Sequence, residues 1–301
     1  MLKLTEGFDL NKNAVYERVG KSAGWLEWLC QNFCRQSGII SERPEWLKGR
    51  RVCMTDATDE GIKGSKGSDY RLHCMLELFT LETIELELTK IAQGETLRNY
   101  EKIVQDDIIM GDRAYGTIAS MEYVQSKGGD FCLRLRGNAF HLYDENGEKI
   151  ELADLLRDMP ETANNRWALF YKFNNEQKPV VICAYRKESG KHESSLRKIK
   201  KSNNKKMRGK VSETQAFYSQ FVVVATSLDE DAERIMSLYR MRWQIELLFK
   251  RLKSIFGYDD MPSKKDNTVK AWFYGKLLLA AVCETLVNQG RFSPTEQAFD
   301  Q

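Results

Sequence analysis

Three short runs between Arg51 and Lys90 limit the fold more than any other feature of this chain. RVCMTDA carries Val52, Cys53 and Met54 up to Asp56, while YRLHCMLELF (70–79) and IELELTK (84–90) alternate apolar and polar residues. Alternation with a period of two marks strands that turn one face to a core. The runs therefore predict three antiparallel strands. A helix over about Glu95–Val104, a short strand IIMGD ending at Asp112, a helix near Thr117–Ser126 and a strand DFCLRLR are expected next. The order β-β-β-α-β-α-β, with carboxylates closing the first and fourth strands, is that of a ribonuclease-H-like fold, an α/β mixed sheet flanked by helices. In that fold the two strand ends are neighbours, so Asp56 and Asp112 are expected to face one metal pair. A single Asp at a strand end ordinarily serves nearby backbone amides; the pair, with a third carboxylate further on, points to chemistry. Asp59, Glu60 and Asp69 stand close by, and Asp56 is preferred because it alone ends the apolar strand.

The third carboxylate lies in SLDEDAERIMSLYRMRWQIELLFKRLKSIFG, Ser227 to Gly257. One long helix is expected there. Ser227 with Glu230 makes a capping box, Asp229 and Asp231 put negative charge in the first turn, and Gly257 suits a left-handed end. Leu238, Met241, Ile245, Leu248, Leu252 and Ile255 form an apolar stripe on that helix. Tyr239, Arg242, Glu246 and Lys253 fall within about 60° of one another on another stripe. A solvated helix face is the plain reading of such a mixture. A carboxylate beside a phenol and two cations also suits a metal site next to bound phosphate.

The spacing Y-x2-R-x3-E-x6-K, here Tyr239, Arg242, Glu246 and Lys253, resembles the signature of the DDE transposases of bacterial insertion sequences, IS-four type. The resemblance covers Arg51 to about Asn288. It implies that Asp56, Asp112 and Glu246 are the catalytic metal ligands and that Tyr239, Arg242 and Lys253 hold DNA near the cleaved end. Three carboxylates without His or Cys select hard cations, so two Mg²⁺ ions, with Mn²⁺ as substitute, are expected. The implied activity is metal-dependent phosphodiester hydrolysis and strand transfer at element ends. The implied partners are double-stranded DNA, both element ends and target, and a second copy of the chain in a synaptic complex. Two other readings stay open: a related nuclease that does not join strands, and a shortened, non-catalytic DNA-binding regulator. The second draws on the N-terminal region, in which about 50 residues precede Asp56, the first catalytic candidate.

Glu246 follows Asp112 by 134 positions, more than one strand and one helix require. A β-rich insertion between the fifth strand and the Glu-bearing helix is therefore expected over 138–219. RWALFYKF and PVVICAYRK supply its strands, and FVVVATS (221–227) returns the chain to the core. Within it, Arg186–Lys210 holds 11 Lys or Arg against two Glu. That tract reads as a mobile basic loop, solvated or ordered on phosphate, with Lys198, Lys200, Lys201, Lys205, Lys206 and Arg208 as DNA-binding candidates. No aromatic residue interleaves it, so base stacking is not indicated. The implied organisation is a helical segment over 1–48, a catalytic domain over 49–137 and 220–290, the insertion, and a tail over 291–301. In the first segment Trp25, Leu26, Leu29 and Phe33 share a helix face suited to packing.

Composition excludes rather than selects. With 42% hydrophobic residues and five Pro, the 301-residue chain is not a disordered protein. Seven Cys without a CxxC, and three His in all, favour free thiols over zinc or disulfides. No signal-peptide core or charge-free membrane span is present, so a cytoplasmic, nucleoid-associated bacterial protein is expected.

Overall fold

The computed structural model describes residues 11–34, 42–62, 65, 67–137, 139–205, 209–256 and 265–291. The architecture is mixed α/β, and the chain divides into two compact units. One comprises residues 1–46, 56–94 and 244–301, the other residues 47–55 and 95–243.

The second unit is built on strands. The first four residues of β1 (Val52–Glu60) run parallel to β4 (Ile108–Gly111), in register from Val52 with Ile108 to Thr55 with Gly111. β4 in turn runs parallel to β5 (Asp130–Arg134). Every residue of β4 is buried, as a strand covered on both faces requires. β10 (Phe221–Thr226) pairs antiparallel with β5 and with β9 (Glu176–Arg186). β9 forms a long hairpin with β8 (Asn164–Phe173), turned by Asn174 and Asn175, both at positive φ, where Asn is tolerated better than most residues. Two-residue strands, β6 (Leu142–Tyr143) and β7 (Lys149–Ile150), finish the edge. The helices of this unit are α3 (Ile118–Ser126), α4 (Leu152–Arg157), α5 (Ser189–Lys205), α6 (Glu213–Ser219) and α7 (Ala232–Arg240). Thr117 caps α3 by accepting from the Ser120 amide at 3.2 Å.

The first unit holds α1 (Lys12–Lys21), α2 (Ala23–Cys34), β2 (Tyr70–Glu77), β3 (Thr83–Lys90), α8 (Trp243–Phe256, from Gln244 onward) and α9 (Asp266–Arg291). β2 and β3 pair antiparallel with a bulge between Met75 and Leu76. α1 and α2 pack on α9. The Tyr274 hydroxyl donates to Glu27 at 2.7 Å and accepts from the Leu88 amide at 3.4 Å, which ties α9 to α2 and to β3. On α2, Trp25 is 62% and Trp28 60% exposed, so the expected packing face does not include Trp25.

Several expectations are corrected. The helix over Glu95–Val104 is instead a single 3-10 turn, Leu97–Asn99, followed by turns. β1 does not end at Asp56 but runs on to Glu60. β2 is buried at its polar positions too: His73 meets the Thr89 hydroxyl at 3.0 Å, and Glu77 accepts the Phe79 and Thr80 amides. The basic tract is a helix, α5, over most of its length and not a loop. The single helix from Ser227 is two. Ser227 faces β5, donating to Asp130 at 2.6 Å and accepting from the Phe131 amide, while Asp231 caps α7 by accepting from the Arg234 amide at 2.9 Å. α7 stops at Arg240, and tight bonds from the Met241 amide to Leu238 and from the Arg242 amide to Tyr239 form a turn before α8. Gly257 lies outside the described residues.

Candidate active site

Asp56 and Asp112 each directly follow the last residue paired between β1 and β4. Thr55 and Gly111 are partners across β1 and β4, and the two Asp residues are the next in each chain direction. Both side chains are half-buried. Asp56 Oδ1 accepts from the Ala57 amide at 2.9 Å and Asp112 Oδ1 from the Ala114 amide at 2.7 Å. Each carboxylate thus keeps its orientation by bonding to the backbone just after it. Gly111 is required at its position, because a Cβ there would stand 2.9 Å from the Tyr115 Cβ and 3.0 Å from Leu133.

Glu246 sits in the first turn of α8 and is exposed. Lys253, two turns on, lies 3.3 Å from the carboxylate of Glu60, a side chain only 1% exposed, and donates to the Asp59 carbonyl at 3.4 Å. Lys253 is thus held by the end of β1. Glu60, passed over in the sequence as a neighbour of Asp56, is its buried partner, and only its place on a strand continuing beyond Asp56 could have signalled this.

The other two signature residues are in the second unit and are buried, not on a solvated stripe: Tyr239 is 6% and Arg242 7% exposed. The turn at Met241–Arg242 is the physical reason, since it breaks the single helical phase on which one shared face depends. The Arg242 guanidinium lies 5.8 Å from the Tyr239 ring centre, and burial raises the phenol's pKa, against the pull of Arg242 and Arg134. Arg134, at the end of β5, and Arg113, directly after Asp112, were not recognised in the sequence. Their Nε atoms are buried and have no hydrogen-bond partner. Burial, then the charge of Arg134, brings the Arg113 guanidinium down to about 10. Lys187 belongs to the same group: burial, then Arg134, Arg113 and Lys198, lower its ammonium to about 8. Beside these cations is a cavity of about 270 Å³ lined by Arg113, Arg136, Gly137, Thr214, Gln215 and Tyr218 among others. A Cβ on Gly137 would stand 2.2 Å from the Tyr218 ring, so glycine is what lets that ring lie against the strand exit.

Among the described residues no group of three or more His, Cys, Asp or Glu stands where it could hold a metal ion. Asp112 belongs to the second unit, Asp56 and Glu246 to the first. Of the basic candidates, Lys198, Lys200 and Lys201 are exposed on α5; Lys205 is its last residue, and Lys206 and Arg208 lie outside the described residues.

Comparison with known proteins decides the family. The family described as Transposase DDE domain matches residues 48–283. The chain is a DDE transposase. This transposase is 26% identical to the transposase for insertion sequence element IS421 of Escherichia coli over 301 residues, covering 96% of this chain and 79% of that protein. It is 22% identical over 202 residues to the transposase for IS231F of Bacillus thuringiensis subsp. israelensis, covering 62% of this chain and 42% of that protein. Membership makes the protein a DNA transposase and implies dependence on a divalent metal in general. Six described cysteines of the transposase carry free thiols. No described helix is long and apolar enough to cross a membrane.

Proposed function

We propose that this transposase hydrolyses phosphodiester bonds at the ends of its element and joins the freed 3′ ends to target DNA, with Asp56, Asp112 and Glu246 as its metal-holding triad. The observation that supports the reading is the pairing of Thr55 with Gly111, the residues that directly precede Asp56 and Asp112 in the sequence. The donor set, three carboxylates with neither thiol nor imidazole, fits Mg²⁺, two ions being usual for such chemistry, with Mn²⁺ as substitute. When bound, a metal pair supplies Lewis acidity toward the attacking and leaving oxygens of an in-line displacement.

The protein's own part is to hold and orient the DNA. Arg242 lies against the Tyr239 ring, and the charges of Arg113 and Arg134 act on the same phenol. Two of these guanidinium groups carry a buried Nε–H without a protein acceptor, at Arg113 and Arg134. A buried donor without a partner costs folding free energy, and a phosphate oxygen would satisfy it with a charge-assisted bond. Lys253 acts through Glu60, fixing α8 and with it the carboxylate of Glu246. On this reading residues 49–137 and 220–290 make a ribonuclease-H-like catalytic domain interrupted by an insertion over 138–219. The parallel arrangement of β1, β4 and β5 supports it. Strand transfer takes place in a synaptic complex of two copies.

The test is Mg²⁺-dependent cleavage of a duplex carrying the element's own end by the native chain and by Glu246→Gln, followed by a strand-transfer assay. The reading predicts cutting and joining by the native chain, and binding without cutting by the variant. Cutting that survives in Glu246→Gln removes Glu246 from the triad. Binding without cutting by both chains favours a non-catalytic regulator.

A further inference from the structure

The helix α5 replaces what the sequence presents as an undirected run of charge, and a helix sorts its charges by face. At 3.6 residues per turn, Lys191, Arg197, Lys198 and Lys201 fall within an arc of about 120°. All four are exposed. His192, Ser195, Leu196, Ile199 and Asn203 occupy an arc of about 100° on the far side and are buried or half-buried. Lys200 falls between the two arcs.

The rotation of α5 about its axis is fixed by named contacts on its inner side. Asn203 Nδ2 donates to Gln215 of α6 at 3.3 Å. Lys187 Nζ donates to the Ser195 hydroxyl at 3.1 Å and to the Ser219 carbonyl at 2.6 Å. Ile199 lines the cavity described above. The outer stripe therefore points outward as a unit.

We propose that this stripe is a docking surface for duplex DNA, running along the sugar-phosphate backbone of one strand. From Lys191 to Lys201 the axis advances about 15 Å, and phosphates of one strand recur about every 3.4 Å along the duplex axis. Four cations thus meet about four phosphates. The two acids that pair within the stripe do so loosely. Glu188 lies 3.1 Å from Lys191 and Glu193 3.6 Å from Arg197, between side chains at least half exposed, and such pairs exchange readily for phosphate. Neither an aromatic nor an apolar side chain interrupts the outer arc, so single-strand stacking and insertion into a lipid surface are disfavoured. The inference rests on the reading above only in taking DNA as the partner; it does not use the triad.

The experiment is binding of the full chain, without divalent metal, to a duplex carrying the element's end, by fluorescence anisotropy across a salt series. The fourfold variant Lys191→Gln, Arg197→Gln, Lys198→Gln, Lys201→Gln is compared with a charge-matched control elsewhere in the second unit: Lys127→Gln, Lys149→Gln, Arg157→Gln, Lys172→Gln, all exposed. The slope of log K against log salt should fall by about 3.6 in the stripe variant, roughly eightfold in affinity per contact at 0.1 M salt, and stay near the native value in the control. Circular dichroism checks that both keep native helix content, and a second stripe variant exchanging Lys for Arg and Arg for Lys should retain the native slope. A slope that is unchanged in the Gln stripe variant, or that falls equally in the control, overturns the proposal. Nicking in Mg²⁺ is measured on the same proteins. A native chain that fails to nick while the slopes separate as expected sinks the catalytic reading and leaves the stripe standing.

Discussion

Gly116→Ala should be among the most damaging single methyl additions to the second unit. The residue lies four positions after Asp112, at the entrance to α3, and passes close to the end of β5. A Cβ there would stand 2.1 Å from the Arg134 carbonyl oxygen, 3.0 Å from its carbonyl carbon and 3.3 Å from Leu135 Cα. All three are backbone atoms, so no side chain can swing away. Nor is that backbone free to move: Arg134 pairs with Val224 of β10, and the Leu135 amide donates to the Val223 carbonyl at 2.8 Å. Relief needs a shift of more than 1 Å. Overpacking of this kind costs about 1–3 kcal/mol, and loss of one ladder hydrogen bond adds about 1 kcal/mol, so a destabilisation of about 2–4 kcal/mol is expected. Urea unfolding measures it, with Gly190→Ala as the internal contrast. That glycine meets nothing within 4 Å and lies inside α5, so its replacement should stabilise by up to about 1 kcal/mol. A loss under about 1 kcal/mol for Gly116→Ala would refute the reasoning, because it would mean that β5 yields where its pairing says it cannot.

Three further outcomes follow from the same physics. His73 is 1% exposed, and burial, then the charge of Arg71, lowers its pKa to about 4, so it folds neutral. Stability should therefore fall as pH drops from about 6.5 toward 4, by at most about 1.4 kcal/mol per unit, and urea melts of His73→Leu should lack that slope. Glu60→Gln removes the buried partner of Lys253 and should cost about 1–2 kcal/mol in the same melts, with a drop in cleavage through the displaced α8. Arg134→Met relieves the repulsion felt by Arg113 and Lys187, so thermal stability should hold or rise while DNA affinity falls roughly eightfold at 0.1 M salt; unchanged anisotropy titrations would remove Arg134 from the DNA path.

What could be read from the sequence was whatever period and punctuation encode. β2, β3, β4, β5, β8, β9 and β10 stand where alternation or short apolar runs placed them, and α3 follows its cap Thr117, where the expected helix began. What escaped were features decided by tertiary packing. No Gly or Pro marks the turn at Met241–Arg242, so Tyr239 and Arg242 read as one stripe with Glu246 and Lys253, and nothing along the chain signals their burial. α5 has only Leu196 and Ile199 as apolar residues on its inner face, too weak a stripe to announce a helix within so many lysines. Glu95–Val104 had helix-like composition, yet its polar groups are taken up by neighbours, as where the Asp107 carboxylate accepts from the Val104 amide at 2.9 Å. The cations at Arg113 and Arg134 carried no signal, because burial of an arginine is not written in its neighbours along the chain.

The division of the chain sets a timetable for synthesis. α1 and α2 leave the ribosome early, but the helix they pack on, α9, begins only at Asp266. At about 5–20 residues per second, the roughly 230 residues between Cys34 and Asp266 take on the order of 10 to 50 seconds to make. For that interval the face that α9 will cover stays open on the nascent chain, next to Trp25 and Trp28, which remain exposed even in the finished fold. The second unit ends at Trp243 and can close sooner. The packing of α1 and α2 is therefore completed only after the second unit has been made.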